Sequence, residues 1–336
     1  CCGHHAQMAG IFGAALALTV PEIAEKLGGQ VVFFATPAEE YGEIEFKNQL
    51  REQGKIRYGG GKCELIRTGA FDDIDLCLAH HIQPGDEIQV GSGTGNGFVS
   101  KVIRYLGKAA HAAGAPDKGV NALSAASLGL QALGLNRETF RDEDCVRVHP
   151  IITKGGNLVN VIPDEIVIET LVRAKTIEAF TDAAKKTDRS FQAGAVAMGA
   201  KVEITTLPGY LPTLAEQALP ELKRAAELAA PEVPVREAAG HSGGSTDVGD
   251  VQHLMPVYTF NTGGVKGGLH QINFEVTNEE EAYIDTAKMF ALAAYGLLKE
   301  KAARSKELVK NYKPVFKDSA EYTKFMEQFD SKEVLD

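Results

Sequence analysis

The chain has 336 residues and a mass of 36.0 kDa, enough for about two domains at roughly 150 residues each. Apolar residues make up 44% and charged residues 24%, which supports a sizeable core and excludes both disorder and a disulfide-stapled miniature fold. The 35 basic and 45 acidic side chains leave a net charge of −10 with no basic stripe, so neither nucleic acid nor an anionic membrane is a suitable partner.

No apolar run reaches the roughly 20 residues that a membrane span requires. The stretch from Ala9 to Val20 is shorter, holds two glycines and has no Lys or Arg before it, so it does not read as a leader. The five cysteines (Cys1, Cys2, Cys63, Cys77, Cys145) are odd in number and irregularly spaced, which suits a reducing cytoplasm better than a disulfide framework. The chain opens at Cys1 rather than at a methionine, so residues upstream are expected to be missing.

Along the chain, Ala6 to Leu18 and Pro21 to Leu27 read as helices. Val31 to Ala35 is a continuous apolar run ending before Pro37, the pattern of a buried parallel strand, and Ile74 to Ala79 is a second. The glycine-rich run Gly91 to Gly97 lacks phosphate-loop spacing and reads as a hinge. Beyond it the order is strand (Phe98 to Leu106), helix (Val120 to Leu135), strand (Val146 to Thr153), strand (Glu165 to Ala174), helix (Ile177 to Met198) and strand (Lys201 to Thr206). That order is the ferredoxin-like split β-α-β arrangement. The last stretch offers a helix from Leu214 to Ala229, a strand from Pro256 to Phe260 and a helix from Asn278 to Lys301. A charged tail follows, expected to be a surface helix without chemistry. The reading is a two-part α/β domain (1–97 and 207–336) with a compact second domain (98–206) inserted in it.

Metal-binding side chains fall at the carboxyl ends of the expected strands or before a helix, where an open α/β sheet binds ligands. They are Cys2 and His4, Glu39 and Glu40, His80 and His81, and His270. Thiolate, imidazole and carboxylate are ordinary ligands for zinc or a related divalent ion. A thiolate can bridge two cations, and two cations activate water without an activated side chain. A competing pattern is Gly240-His241-Ser242-Gly243-Gly244, which satisfies G-x-S-x-G and is followed by Asp247 or Asp250 and then His270. It lacks the preceding strand that a nucleophile elbow requires, because Pro231 to Glu237 holds two prolines and three charges.

The ordered series Cys2-Gly3-His4, Pro37-Ala38-Glu39-Glu40 and Leu78-Ala79-His80 resembles a dinuclear-metal peptidase and amidohydrolase family that includes aminoacylases, glutamate carboxypeptidases and hippurate hydrolases. Gly107 to Ala113 resembles its lid histidine motif, and Gly155 to Asp164 its G-G-x-x-x-N-x-I-P signature. Ser245 to Val251 looks like the aminobenzoyl-glutamate hydrolase branch. The resemblance implies a mixed-sheet zinc-peptidase-like catalytic domain holding two divalent ions, zinc or manganese. Cys2 would bridge them, with His4 and His80 on one and Glu40 and His270 on the other. Glu39 would be the general base and acid. His111 on the lid would reach a neighbouring subunit's site in a homodimer, and Asn160 and Arg173 would hold the substrate carboxylate.

The implied reaction is cleavage of an N-acyl or N-aroyl amino acid, or a small dipeptide. A serine hydrolase using Ser242, and a truncated relative that only binds ligand, are the other readings. Departures from the family pattern are His5 after the Cys-Gly-His, Gln271-Ile272 after His270, and the missing segment upstream, which would leave a sheet edge exposed.

Overall fold

The computed structural model describes residues 2–336. Helices α1 (His4–Leu18), α2 (Pro21–Ala24), α3 (Ile44–Glu52) and α4 (Gly61–Arg67) come first, then strands β1 (Cys77–Ile82), β2 (Ile88–Val90), β3 (Thr94–Gly95) and β4 (Gly97–Leu106). The middle of the chain gives α5 (Ala122–Asn136), β5 (Arg147–Val148), β6 (Ile151–Lys154), β7 (Glu165–Ala174), α6 (Ile177–Met198) and β8 (Lys201–Pro208). The last third gives α7 (Pro220–Ala229), β9 (Val235–Glu237), β10 (His241–Ser242), α8 (Val248–Gln252), β11 (Val257–Thr262), β12 (Val265–Lys266) and β13 (Glu275–Val276). A π-helical turn (Glu280–Asp285) then leads into α9 (Thr286–Asn311), α10 (Ser319–Met326) and β14 (Ser331–Leu335).

The inserted sheet follows directly from local sequence. Asn121 caps α5 by accepting from Leu123 N (2.9 Å) and Ser124 N (3.1 Å), and Thr176 caps α6 by accepting from Ala179 N (3.1 Å). Gly199, at φ 63, ends α6 in the left-handed conformation. Strands β8, β4, β7 and β5 lie side by side in that order and antiparallel throughout, with β6 also on β7. Taken as strands four, one, three and two, this is the ferredoxin-like order. The expected strand Val146 to Thr153 is two pieces because His149-Pro150 interrupts it, and proline has no N–H for the ladder.

A second sheet of mixed direction runs β1-β11-β2-β9, with β1 parallel to β11 at its edge. Phe260, Ile88 and Val90 pack there against Met289 and Phe290 of α9, Leu222 of α7 and Ala14 of α1.

Three expectations give way. Val31 to Ala35 forms no strand. No neighbour pairs with it among the described residues, Val32 and Phe33 are exposed, and Phe34 stacks on Phe71 at 4.7 Å instead. The helix expected from Leu214 starts at Pro220, where proline suits a first turn because its missing N–H is not needed there. The charged tail beyond Ala302 is not simply a surface helix. Tyr322 and Met326, four apart on α10, are fully buried, and β14 adds to the inserted sheet by pairing Ser331 with Thr206 through Leu335 with Val202. Residues 331–335 therefore extend the sheet that β4, β7 and β8 form, and a single core joins Phe329 and Tyr322 to residues of that sheet and of the rest of the chain.

Candidate metal centre

Cys2 lies just before α1 and His4 opens it, and β1 ends beside them. Strand alternation sends His80 and Ile82 inward and His81 to the opposite face, toward Cys2. The thiol of Cys2 lies 3.5 Å from His81 Nε2, and the His4 and His81 rings meet edge to face at 5.6 Å. His81 Nδ1 donates to the Ile82 carbonyl at 2.6 Å, since a carbonyl can only accept. That bond fixes the tautomer and leaves the Nε2 lone pair facing the thiol, as a metal-ligating histidine requires.

The second half of the site comes from two loops. After Pro37 the backbone turns through Ala38 at φ 54, so the adjacent carboxylates diverge. Glu39 Oε2 points to His4 Nε2 (3.6 Å) and Glu40 Oε2 to His270 Nδ1 (3.7 Å). His270 sits in the loop between β12 and β13 with a left-handed φ of 62. Donor atoms of Cys2, His4 and His81 lie within 4.8 Å of one another, as do those of Cys2, Glu40 and His270. The two triads share only the sulfur.

This donor set fits a pair of divalent cations with a bridging thiolate. His4 Nε2 is buried and has no hydrogen-bond partner, so a ligand role accounts for it. Burial, together with the carboxylates of Glu40 and Glu39, pushes the Cys2 thiol up to about 11. Without nearby positive charge the sulfur stays protonated, and a bound cation would reverse that.

His80, expected as a ligand, is excluded by strand parity. Its ring is 7% exposed and stacks on Phe260 at 4.8 Å, and its Nε2 bonds Thr262 Oγ1 at 2.8 Å. Burial lowers its pKa to about 3, so it is a neutral core residue. The histidine that meets Cys2 is His81. Its signal in the sequence is weak, because two adjacent histidines differ only in the face they take. His5 joins neither triad and packs edge to face against Tyr283 and Phe274.

The other expected residues lie elsewhere. Asn160 and His111 occupy adjoining loops, where His111 bridges Val161 and Ala112 N donates to the Asn160 carbonyl (3.0 Å). His111 Nδ1 accepts from Ala113 N and Gly114 N, so its exposed Nε2 carries the proton and donates outward. Arg173 on β7 lies over the Phe98 ring at 5.7 Å. None of these three contacts the triads.

The serine alternative is not assembled. Ser242 Oγ accepts from Gly244 N at 3.1 Å, Asp247 is committed to Lys62, Asp250 accepts from Tyr322 Oη at 2.8 Å, and His270 belongs to Glu40. A nucleophilic serine needs a histidine within hydrogen-bond reach, and none is there among the described residues.

Residues 1–295 match the family described as peptidase family M20/M25/M40. The chain belongs to this family. Family M20 is one of metal-dependent hydrolases of amide bonds in acyl amino acids and dipeptides, and its mixed α/β fold is the one seen here. The mouse Xaa-Arg dipeptidase is 28% identical over 323 residues, covering 93% of this chain and 67% of the relative. One p-aminobenzoyl-glutamate hydrolase polypeptide of Escherichia coli is 29% identical over 174 residues, covering 52% and 32%. The matched region therefore spans about two thirds of the mouse protein's length and about a third of the bacterial protein's. Among solved structures, a dinuclear metal binding M20 peptidase from Bacillus subtilis superposes with a TM-score of 0.57 at 23% identity. That superposition covers 88% of this chain and 72% of the other.

Proposed function

We propose that this M20 protein hydrolyses the amide bond of an N-acyl amino acid or small dipeptide at a site holding two divalent ions, zinc or manganese. The observation that carries the reading is the pair of donor triads hinged on Cys2, with the Glu39 carboxylate beside them. Cys2, His4 and His81 would hold one ion and Cys2, Glu40 and His270 the other. When bound, the ions supply Lewis acidity toward the amide carbonyl and lower the pKa of water.

The chain's own contribution is proton movement and orientation. In this reading Glu39 Oε2 takes a proton from the attacking water and returns it to the departing amine nitrogen. The exposed Nε2–H of His111 suits donation to a developing oxyanion, and the G-G-x-x-x-N segment beside it supports a role at a neighbouring subunit's site. In the same reading the inserted domain (98–206, now joined by β14) is a lid and dimer face. Its β6 edge exposes Ile151 and Ile152, and the following loop exposes Leu158 and Val159. Asn160 and Arg173 would hold the substrate carboxylate. A cytoplasmic setting is supported by the free thiols of Cys2, Cys63, Cys77 and Cys145, and no helix among the described residues is long and apolar enough to cross a membrane.

The test separates ligand from base. Glu39→Gln should keep both ions and lose roughly 10²–10⁴ in kcat, the usual worth of a general base. Cys2→Ala should lose metal and activity together. Turnover of Glu39→Gln at the parent rate, or two ions retained by Cys2→Ala, would refute the assignment. Xaa-Arg dipeptides, aminobenzoyl-glutamate and N-acetyl amino acids form the substrate panel, each assayed with zinc and with manganese.

A further inference from the structure

The turn that carries both carboxylates is held by its backbone. Three successive carbonyls are each bonded from a different element. The Ala38 carbonyl accepts from Gly61 N at 3.1 Å, at the start of α4. The Glu39 carbonyl accepts the Tyr210 hydroxyl, and the Glu40 carbonyl accepts Lys47 Nζ of α3 at 2.7 Å. Tyr210 stands out because of where it comes from. It lies two residues beyond β8, where the chain leaves the inserted sheet, and its own carbonyl accepts from Phe98 N (2.9 Å) at the start of β4, where the chain enters it.

The packing around Tyr210 is built for this contact. The residue is 2% exposed, with the Phe98 ring at 4.7 Å and the Tyr41 ring at 5.7 Å. Tyr41, next in sequence to Glu40, donates its hydroxyl to the Pro208 carbonyl at 2.9 Å. Glycines make room for the approach. A Cβ on Gly60 would sit 2.2 Å from Tyr210 Cε1, and one on Gly61 would sit 1.7 Å from the Pro37 carbonyl oxygen. The Gly59-Gly60-Gly61 run is therefore the seat on which the turn and the tyrosine meet.

We infer that Tyr210 is a positioning residue for Glu39, bonding both chain crossings between the two sheets to the backbone of the proton-transferring carboxylate. The inference rests on the general-base reading of Glu39. A lid that swings about the Gly97 and Gly209 crossings moves Tyr210, and with it the Glu39 carbonyl. The hydroxyl acts on the backbone and touches none of the ion ligands Cys2, His4, His81 and His270; the fifth, Glu40, shares the turn but keeps its own carbonyl bond from Lys47 Nζ, so loss of the hydroxyl should misplace the base without releasing metal.

Tyr210→Phe keeps the buried ring and removes only this donor. The expected result is a kcat lower by roughly 10- to 100-fold, as a misplacement on the order of 1 Å would give, with KM within about twofold and ion content unchanged. Hydrogen exchange read by mass spectrometry should speed up in the segment 58–64, whose Gly61 amide donates to the Ala38 carbonyl of this turn, in metal-loaded and metal-free protein alike. Tyr41→Phe, which gives up a hinge bond but leaves the Glu39 carbonyl bonded, should keep kcat within about threefold of the parent. A Tyr210→Phe enzyme turning over within that same margin overturns the inference, as does equal loss in both variants or unchanged exchange at 58–64. The exchange measurement decides the matter even for a preparation with no measurable turnover. Glu39→Gln separates the two levels: if it stays active, the base assignment fails; if it is dead while Tyr210→Phe is normal, only the positioning role fails.

Discussion

Replacing each of the two adjacent histidines of β1 by alanine should give opposite phenotypes. His80→Ala removes a buried ring that stacks on Phe260 at 4.8 Å and Phe290 at 6.0 Å. It also removes the partner of Thr262 Oγ1 at 2.8 Å, although that hydroxyl keeps Thr286 Oγ1 at 2.8 Å. The lost hydrogen bond costs on the order of 1 kcal/mol, and the cavity brings the total to roughly 2–4 kcal/mol. At about 2 °C per kcal/mol for a chain of this length, the melting point should fall by roughly 4–8 °C in chelator. His81→Ala empties a half-buried site facing the other way, so the metal-free protein should melt within about 2 °C of the parent. After reconstitution, however, it should have lost the Cys2–His4 ion. Differential scanning fluorimetry with and without chelator, and elemental analysis of the reloaded protein, read both effects. If His81→Ala kept two ions while His80→Ala lost one with no change in melting point, the parity argument would be wrong.

Two further outcomes follow from buried charges. Burial raises Asp250 to about 8 although Tyr322 Oη and Leu211 N bond it. A carboxyl whose folded value lies above its unfolded value of about 3.9 stabilises the fold below that value and loses the contribution as pH rises toward 8. Asp250→Asn should therefore flatten the decline in urea-unfolding free energy between about pH 4 and pH 8; a curve parallel to the parent's would refute this. Lys62→Met should cost roughly 3–5 kcal/mol, because Asp247 is fully buried and takes both the Lys62 backbone N–H (2.9 Å) and its ammonium (2.5 Å). A melting point unchanged at pH 7 would show the pair to be dispensable.

Much of the inserted sheet was legible because local signals agreed there. The alternation from Glu165 to Ala174 and the Thr176-to-Gly199 cap pair fix elements within a residue of where they fall. The candidate centre was legible as a set of residue types at loop positions, and Cys2, His4, Glu40 and His270 do converge. The sequence was least informative where the outcome depends on partners far along the chain. Val31 to Ala35 has strand composition but no ladder neighbour among the described residues. His80 and His81 have the same chemistry and adjacent positions in the sequence, and only the face buried against Phe260 and Phe290 separates them. The tail's charges mask an i, i+4 pair, Tyr322 and Met326, whose apolar face has meaning only beside α4 and α8.

Strand β14 seals β8 by pairing Ser331 with Thr206, after residues 207–330 have intervened. A pairing so remote in sequence forms late, because a very long loop must close before any of its hydrogen bonds is gained. Until then β8 presents a bare edge, and a half-finished chain carries the same open ladder that strands use to recruit one another. The pairing thus makes residues 331–335 the cover over an edge that would otherwise invite aggregation.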